Sequence, residues 1–173
     1  MTIPGIRNIL NLDEIVLQQA SADELPPDRL TEQYDLRWGE IASRIGARKL
    51  GYNLTVIAPG KLACPLHNHR MLEEMFFILE GTGELRLGDA RYPLRAGDIV
   101  ACPPGGPETA HQIINTGEVE LRFLAVSTRG AADICEYPDS GKYQIVEPTL
   151  EPEKPPFRVI GRYDAAVDYW DGE

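Results

Sequence analysis

The chain has three histidines, and all of them lie between positions 67 and 111. Two of them, His67 and His69, are separated by a single residue in "CPLHNHRMLEEMFFILEG". Side chains two apart on an extended strand point to the same face, so both imidazoles can reach one point in space. Glu73 and Glu74 follow at the start of the next apolar run. Neighbouring strands lie about 5 Å apart, which brings a carboxylate within reach of the same point. If Phe76 and Ile78 face the core, Glu74 faces it with them, and Glu73 is the solvated fallback. The third histidine, His111, opens a further strand-like stretch, "HQIIN". Three imidazoles and one carboxylate form a borderline ligand set. It suits one divalent transition metal ion (Zn, Fe, Mn, Ni, Co or Cu) and leaves one or two positions open for water or substrate.

Other residue types limit the chemistry. Cys64, Cys102 and Cys135 are odd in number and widely spaced, which suits a reducing compartment and no disulfide framework. No CxxC pair is present, so a cysteine-built zinc site is not expected. "YPDSGK" carries no phosphate-loop pattern and reads as a turn. Isomerisation at a metal needs a proton-shuttling group besides the ligands. Tyr52 and Glu73 are the candidates for that catalytic role, although Tyr52 also reads as a core residue with a satisfied hydroxyl. Phe76, Ile78, Ile113 and Phe123 are expected to form the apolar wall of the substrate pocket.

Strands must position these groups. "LGYNLTVIAPG" alternates, with Tyr52, Leu54, Val56 and Ala58 on one face and Asn53 and Thr55 on the other. "EMFFILEGTGELRL" is two apolar runs joined by Gly-Thr-Gly, which reads as a hairpin. "HQIINTGEVELRFLAV" repeats strand, turn and strand. Short strands with turns at intervals of roughly ten residues describe an all-β sandwich or barrel. A short helix is possible only near "DEIVLQQA" or "DRLTEQYDL". One domain is expected over 1–173, with an N-terminal extension at 1–40, a barrel at 41–128 and a C-terminal arm at 129–173 that reads as an extended arm or a set of loops.

These residues resemble the cupin superfamily, whose first motif is G-x5-HxH-x3,4-E-x6-G and whose second is G-x5-PxG-x2-H-x3-N. The chain reads Gly60, six residues, His67-Asn68-His69, four residues, Glu74, six residues and Gly81. It then reads Gly97, five residues, Pro103-Pro104-Gly105, five residues, His111, three residues and Asn115. It departs by one extra residue after Gly60 and three before His111, in "GPETA". The resemblance covers about residues 50 to 128. It implies a double-stranded β-helix (jelly-roll) barrel holding a metal on His67, His69, Glu74 and His111, and pairing into a homodimer.

Composition sets the remaining expectations. A net charge of -10 argues against nucleic acid or an anionic membrane as the main partner. The N-terminus shows no secretory signal, so a cytoplasmic location is expected. The expected activity is a redox-neutral isomerase or epimerase of a sugar-like small molecule. A cupin dioxygenase and a non-catalytic small-molecule or carbohydrate-binding barrel are the alternatives. Trp170, near the C-terminus, is expected to pack on the barrel or on a partner subunit.

Overall fold

The structure is a computed structural model and describes residues 7–19, 32–130, 132–148 and 154–173. Among these residues lie thirteen strands: β1 (Gln18–Gln19), β2 (Leu36–Glu40), β3 (Leu50–Ile57), β4 (Asn68–His69), β5 (Glu74–Glu80), β6 (Thr82–Leu87), β7 (Ala90–Arg95), β8 (Ile99–Cys102), β9 (His111–Ile114), β10 (Leu121–Thr128), β11 (Asp133–Tyr137), β12 (Lys142–Glu147) and β13 (Phe157–Arg162). The only helical pieces among the described residues are single 3-10 turns. The one at Leu12–Glu14 falls inside "DEIVLQQA" and its flank, and Asn11 and Glu14 close it with a capping box. In "DRLTEQYDL" residues 28–31 lie outside the described residues, and the rest, 32–36, holds a turn, a bridge from Tyr34 to Leu62 and the start of β2 instead of a helix. Among the described residues no helix is long and apolar enough to cross a membrane.

One layer is a six-stranded sheet in the order β1-β2-β3-β10-β5-β8. The opposite layer is formed by the sheets β7-β6-β9 and β13-β12-β11-β4, which an antiparallel bridge between His67 and His111 ties together. The main core lies between the layers. Ile57, Phe76, Ile78, Leu121 and Phe123 come from the first, and Leu85, Leu94 and Ile113 from the second. This is the double-stranded β-helix, or jelly-roll, arrangement.

Its connections correct the hairpin reading at Gly81. β5 pairs with β10 and β8, whereas β6 pairs with β7 and β9. The chain therefore changes layers at Gly81, which sits at φ +85. β9 and β10 likewise belong to different sheets. The true hairpin is β6–β7, closed by Gly88 and Asp89 between the paired Leu87 and Ala90. A Gly-Asp turn with positive φ at glycine suits the twist of such a hairpin.

Both faces of β3 are covered. Tyr52, Leu54 and Val56 do form its apolar side, but that side is the outer one. Leu10, Ile15 and Leu17 from the N-terminal segment pack over it. The segment expected as a loop-rich C-terminal arm instead contains β11, β12 and β13, and β11 pairs directly with the histidine-bearing β4. Trp170 rests edge-on against Tyr169 at 4.8 Å and is 72% exposed, so it does not dock on the barrel of its own chain.

Candidate metal centre

The three histidines and Glu74 reach one place by separate structural routes. His67 and His111 exchange backbone hydrogen bonds across their bridge, at 3.2 and 2.8 Å. His69 lies on β4, and its carbonyl accepts the amide of Gly105 at 2.9 Å. Glu74 is the first residue of β5, where Ser127 and Cys102 are its cross-strand partners. Glu74 Oε2 lies 3.0 Å from His111 Nε2, 3.4 Å from His69 Nε2 and 3.7 Å from His67 Nε2. Ring centroids are 4.7 Å apart for His67 and His111, 5.0 Å for His67 and His69, and 6.2 Å for His69 and His111.

The opposite nitrogens explain how the rings are aimed. His67 Nδ1 donates to the carbonyl of Pro65 at 2.9 Å, and His111 Nδ1 to that of Thr109 at 3.2 Å. His69 Nδ1 donates to Asp133 Oδ2 at 2.5 Å. The three extra residues before His111 build the short turn Pro107–Thr109 that presents the Thr109 carbonyl.

Because a carbonyl or carboxylate only accepts, each Nδ1 carries a proton. A neutral ring then turns its bare Nε2 lone pair toward an anionic oxygen. Three such nitrogens around Glu74 repel it unless positive charge lies among them. A divalent ion satisfies all four donors together, and outward Nδ1–H···O bonds are the usual support of a metal-bound histidine. The residues therefore fit a borderline transition metal.

The titration behaviour points the same way. Burial favours the neutral form of Glu74, but the surrounding side chains of His111, His67 and His69 outweigh it and hold the carboxyl well below its usual range. Burial likewise works against the charged form of His69, yet Asp133 and Glu74 raise it to about 8. For His67 burial opposes the charge, and the neighbouring Cys64 and Glu74 outweigh it, so the net direction is upward. The pocket attracts positive charge.

Between the two histidines, Asn68 is fully buried. Its Nδ2 donates to the Gly105 carbonyl at 2.9 Å and to Glu136 Oε2 at 2.7 Å. Glu136 also pairs with Arg70 at 2.7 Å and accepts from Tyr163. This network clamps β4 to β11 and to the turn that leads to His111.

A cavity of about 700 Å³ opens onto His67, His69 and Glu74. Its wall is not the expected one. It is lined by Cys64, Ser127, Arg129, Asp133, Cys135 and Tyr137, with Arg48 at its edge. Phe76, Ile113 and Phe123, three of the four residues expected as the pocket wall, line a smaller space of about 210 Å³ that His67, Glu74 and His111 also border, together with Asn53 and Thr55. Ile78 lines neither cavity, because it is sealed in the core. Tyr52 faces the covered outer side of β3 and lines neither. Glu73 is exposed and lines neither, and its amide donates to Thr128 Oγ1 at 3.0 Å. Tyr52 and Glu73 are therefore not brought to the centre, which leaves their expected proton-shuttling role without geometric support.

Sequence reasoning missed Asp133, Cys135 and Tyr137. No local spacing announces them, since they arrive by the pairing of Cys135 with His69 across β11 and β4. The donor atoms of His67, His69 and Cys135 lie within 4.8 Å of one another, as do those of His67, Glu74 and His111.

The sequence matches the family "Cupin domain" over residues 53–127. It is 30% identical over 102 residues to Protein SchB of Streptomyces halstedii, covering 59% of this chain and 70% of that protein. It is 39% identical over 62 residues to an uncharacterized protein of Methanocaldococcus jannaschii, covering 36% of this chain and only 47% of that relative's length. It is 27% identical over 140 residues to the glucose-6-phosphate isomerase of Pyrococcus abyssi, covering 72% of this chain and 71% of that enzyme. A solved sugar phosphate isomerase from Silicibacter pomeroyi shares the fold, with a TM-score of 0.74, 23% identity, and coverage of 94% of this chain and 98% of that one.

Proposed function

The chain belongs to the cupin superfamily, and from that premise we propose that it is a metalloenzyme that isomerises or epimerises a small, sugar-like molecule without net redox change. His67, His69, Glu74 and His111 hold one divalent transition metal ion. The observation that carries the reading is the shared aim of the three rings: each Nδ1 is occupied by an acceptor, and each Nε2 faces Glu74 Oε2. The ion supplies Lewis-acid polarisation of a bound carbonyl or hydroxyl oxygen.

The chain's own groups do the rest. Asp133 and the two carbonyls fix the imidazoles, so the site is organised before substrate arrives. Leu72, Val146 and Pro148 contribute apolar surface to the cavity and displace water from it. Low polarity there strengthens the attraction between charge and substrate oxygen. Tyr137 lines the cavity that Tyr52 and Glu73 do not reach, and we assign it the place of hydrogen-bond donor there. Its hydroxyl donates to Gln144 Oε1 at 3.0 Å, and its ring lies 6.3 Å from that of His67. Burial and the neighbouring Cys135 keep that hydroxyl protonated, so on substrate binding Tyr137 Oη exchanges its acceptor, Gln144 Oε1, for a substrate oxygen.

The test begins with metal analysis of the purified chain. Turnover of a panel of aldoses, ketoses and hydroxy-acids is then followed with oxygen uptake recorded, for wild type and His111→Ala. The proposal expects turnover without oxygen consumption, activity with redox-inert Zn, and loss of both metal and activity in His111→Ala. Oxygen-coupled turnover that fails with Zn identifies a dioxygenase instead. Binding without turnover under any metal identifies a binding barrel.

A further inference from the structure

The inner face of β10 changes character along its length. Phe123 and Ala125 line the small inner space, whereas Ser127 and Arg129 line the large cavity. Alternate residues share a face, so Ser127 and Arg129 continue the row that begins in the core. Ser127 is the cross-strand partner of Glu74. Arg129 follows two residues later, about 7 Å further along the strand toward the open end.

β3 brings a second arginine to the same end. Leu50 pairs with Thr128, and the Arg129 amide donates to the Lys49 carbonyl at 2.8 Å. Arg48 lies two residues before β3, in the bend that leads into it, and also lines the cavity. The space for these side chains depends on Gly51, the partner of Ser127. A Cβ there would collide with Ser127 Oγ and lie 3.2 Å from Arg129 Nε.

Charge at this end is unbalanced. The carboxylates that line the cavity, Glu74 and Asp133, are both engaged by histidines. Arg129 has only a 3.9 Å approach to Glu40, and the Arg48 guanidinium has no hydrogen bond or ion pair among the described residues. A chain of net charge -10 thus places two under-used guanidinium groups over the mouth of the cavity that opens onto its histidines.

We propose that this mouth is an anion-recognition site, in which Arg129 and Arg48 bind a phosphate or carboxylate group of the substrate while its other oxygens face the histidine cluster. The assignment rests on the proposed function for the second half of that statement only. Guanidinium groups suit both anions because their planar donors engage two oxygens together.

Calorimetry on the metal-loaded chain with glucose, glucose 6-phosphate and gluconate tests it. The charged ligands should bind at least about tenfold tighter than glucose, the scale of one charge-assisted hydrogen bond. The stronger of the two charged ligands tells phosphate from carboxylate. Arg48→Gln/Arg129→Gln should abolish that margin while metal content, melting temperature and glucose binding stay as in wild type. Inorganic phosphate binding to the metal-free chain, lost in the same double variant, separates the arginine site from the metal centre. Equal binding of charged and neutral ligands, an unchanged margin in the double variant, or no binding of any probe overturns the proposal.

Discussion

Asp133 and His69, 64 positions apart in the chain, are joined by a 2.5 Å hydrogen bond from His69 Nδ1 to Asp133 Oδ2. The other carboxylate oxygen accepts the Met71 amide at 3.0 Å, so one side chain fixes both the ring and the turn that follows it. Loss of such a support typically weakens metal affinity by about 10- to 100-fold. Asp133→Ala is expected to fall in that range, with the three-histidine set intact. Competition with a chromophoric chelator measures it, and an affinity equal to wild type contradicts the assignment of His69 as a ligand.

Glu136 gives a pH-dependent prediction. Burial acts to raise its pKa, but hydrogen bonds with Arg70, Asn68 and Tyr163 outweigh burial, and the net direction is below 4.5. A carboxyl with a depressed folded pKa contributes stability that is complete above its unfolded value. That contribution is lost as pH falls through the folded value. Glu136→Gln should therefore melt at a lower temperature than wild type near neutral pH, reflecting a loss of roughly 1–3 kcal/mol of stability. The gap should close as pH drops below about 4.5. Melting curves across roughly pH 3 to 7 decide it, and a gap that widens in acid refutes it.

The layer change at Gly81 predicts a contrast between two glycines of similar backbone angle. Gly81 has φ +85, and a Cβ there would lie 2.5 Å from the Glu120 carbonyl oxygen. Gly97 has φ +93 with nothing within 4 Å. Gly97→Ala should cost only backbone strain, roughly 1–2 kcal/mol. Gly81→Ala should cost that plus a steric conflict with backbone, more than ~2 kcal/mol in total. Urea unfolding of both variants measures the difference, and equal costs refute it.

A last prediction concerns assembly. β13 is the edge of its sheet, and Phe157, Val159 and Ile160 are exposed on it, as are Tyr169 and Trp170 beyond. An exposed apolar edge strand invites pairing with another chain. The chain is expected to form a homodimer that buries this strand, and Val159→Lys/Ile160→Lys should convert it to monomer. Light scattering coupled to gel filtration reports the mass. A wild type that is monomeric, or a dimer untouched by the two lysines, rules this interface out.

The legible parts of the site were those set by local periodicity. The two-residue spacing of His67 and His69, and the parity linking Glu74 with Phe76, depend only on strand geometry. The same alternation was correct for β3, yet Tyr52 points away from the centre. Hydrophobicity announces that a face is covered, not what covers it, and here Leu10, Ile15 and Leu17 do so. The Gly81 turn misled for a related reason: glycine reports a bend, whereas the choice of strand partner is a long-range matter. Asp133, Tyr137 and the arginine pair were invisible because β11–β4 and β3–β10 pairing brings them in. Net charge was equally blind to the mouth, since a sum over the chain says nothing of where two cations are placed.

The pairing of β11 with β4 also has a consequence for biosynthesis. Synthesis proceeds from the N-terminus, so a nascent chain has exposed His67, His69, Glu74 and His111 before Asp133 leaves the ribosome. Until then His69 has no anchor and the cavity lacks the wall that β11 and β12 supply. On the proposed metal reading, an ion captured at that stage would rest on an unsupported His69 and could still exchange. Emergence of β11 and β12 would close the site around it, so on the proposed reading the choice of metal stays open until those strands have been translated.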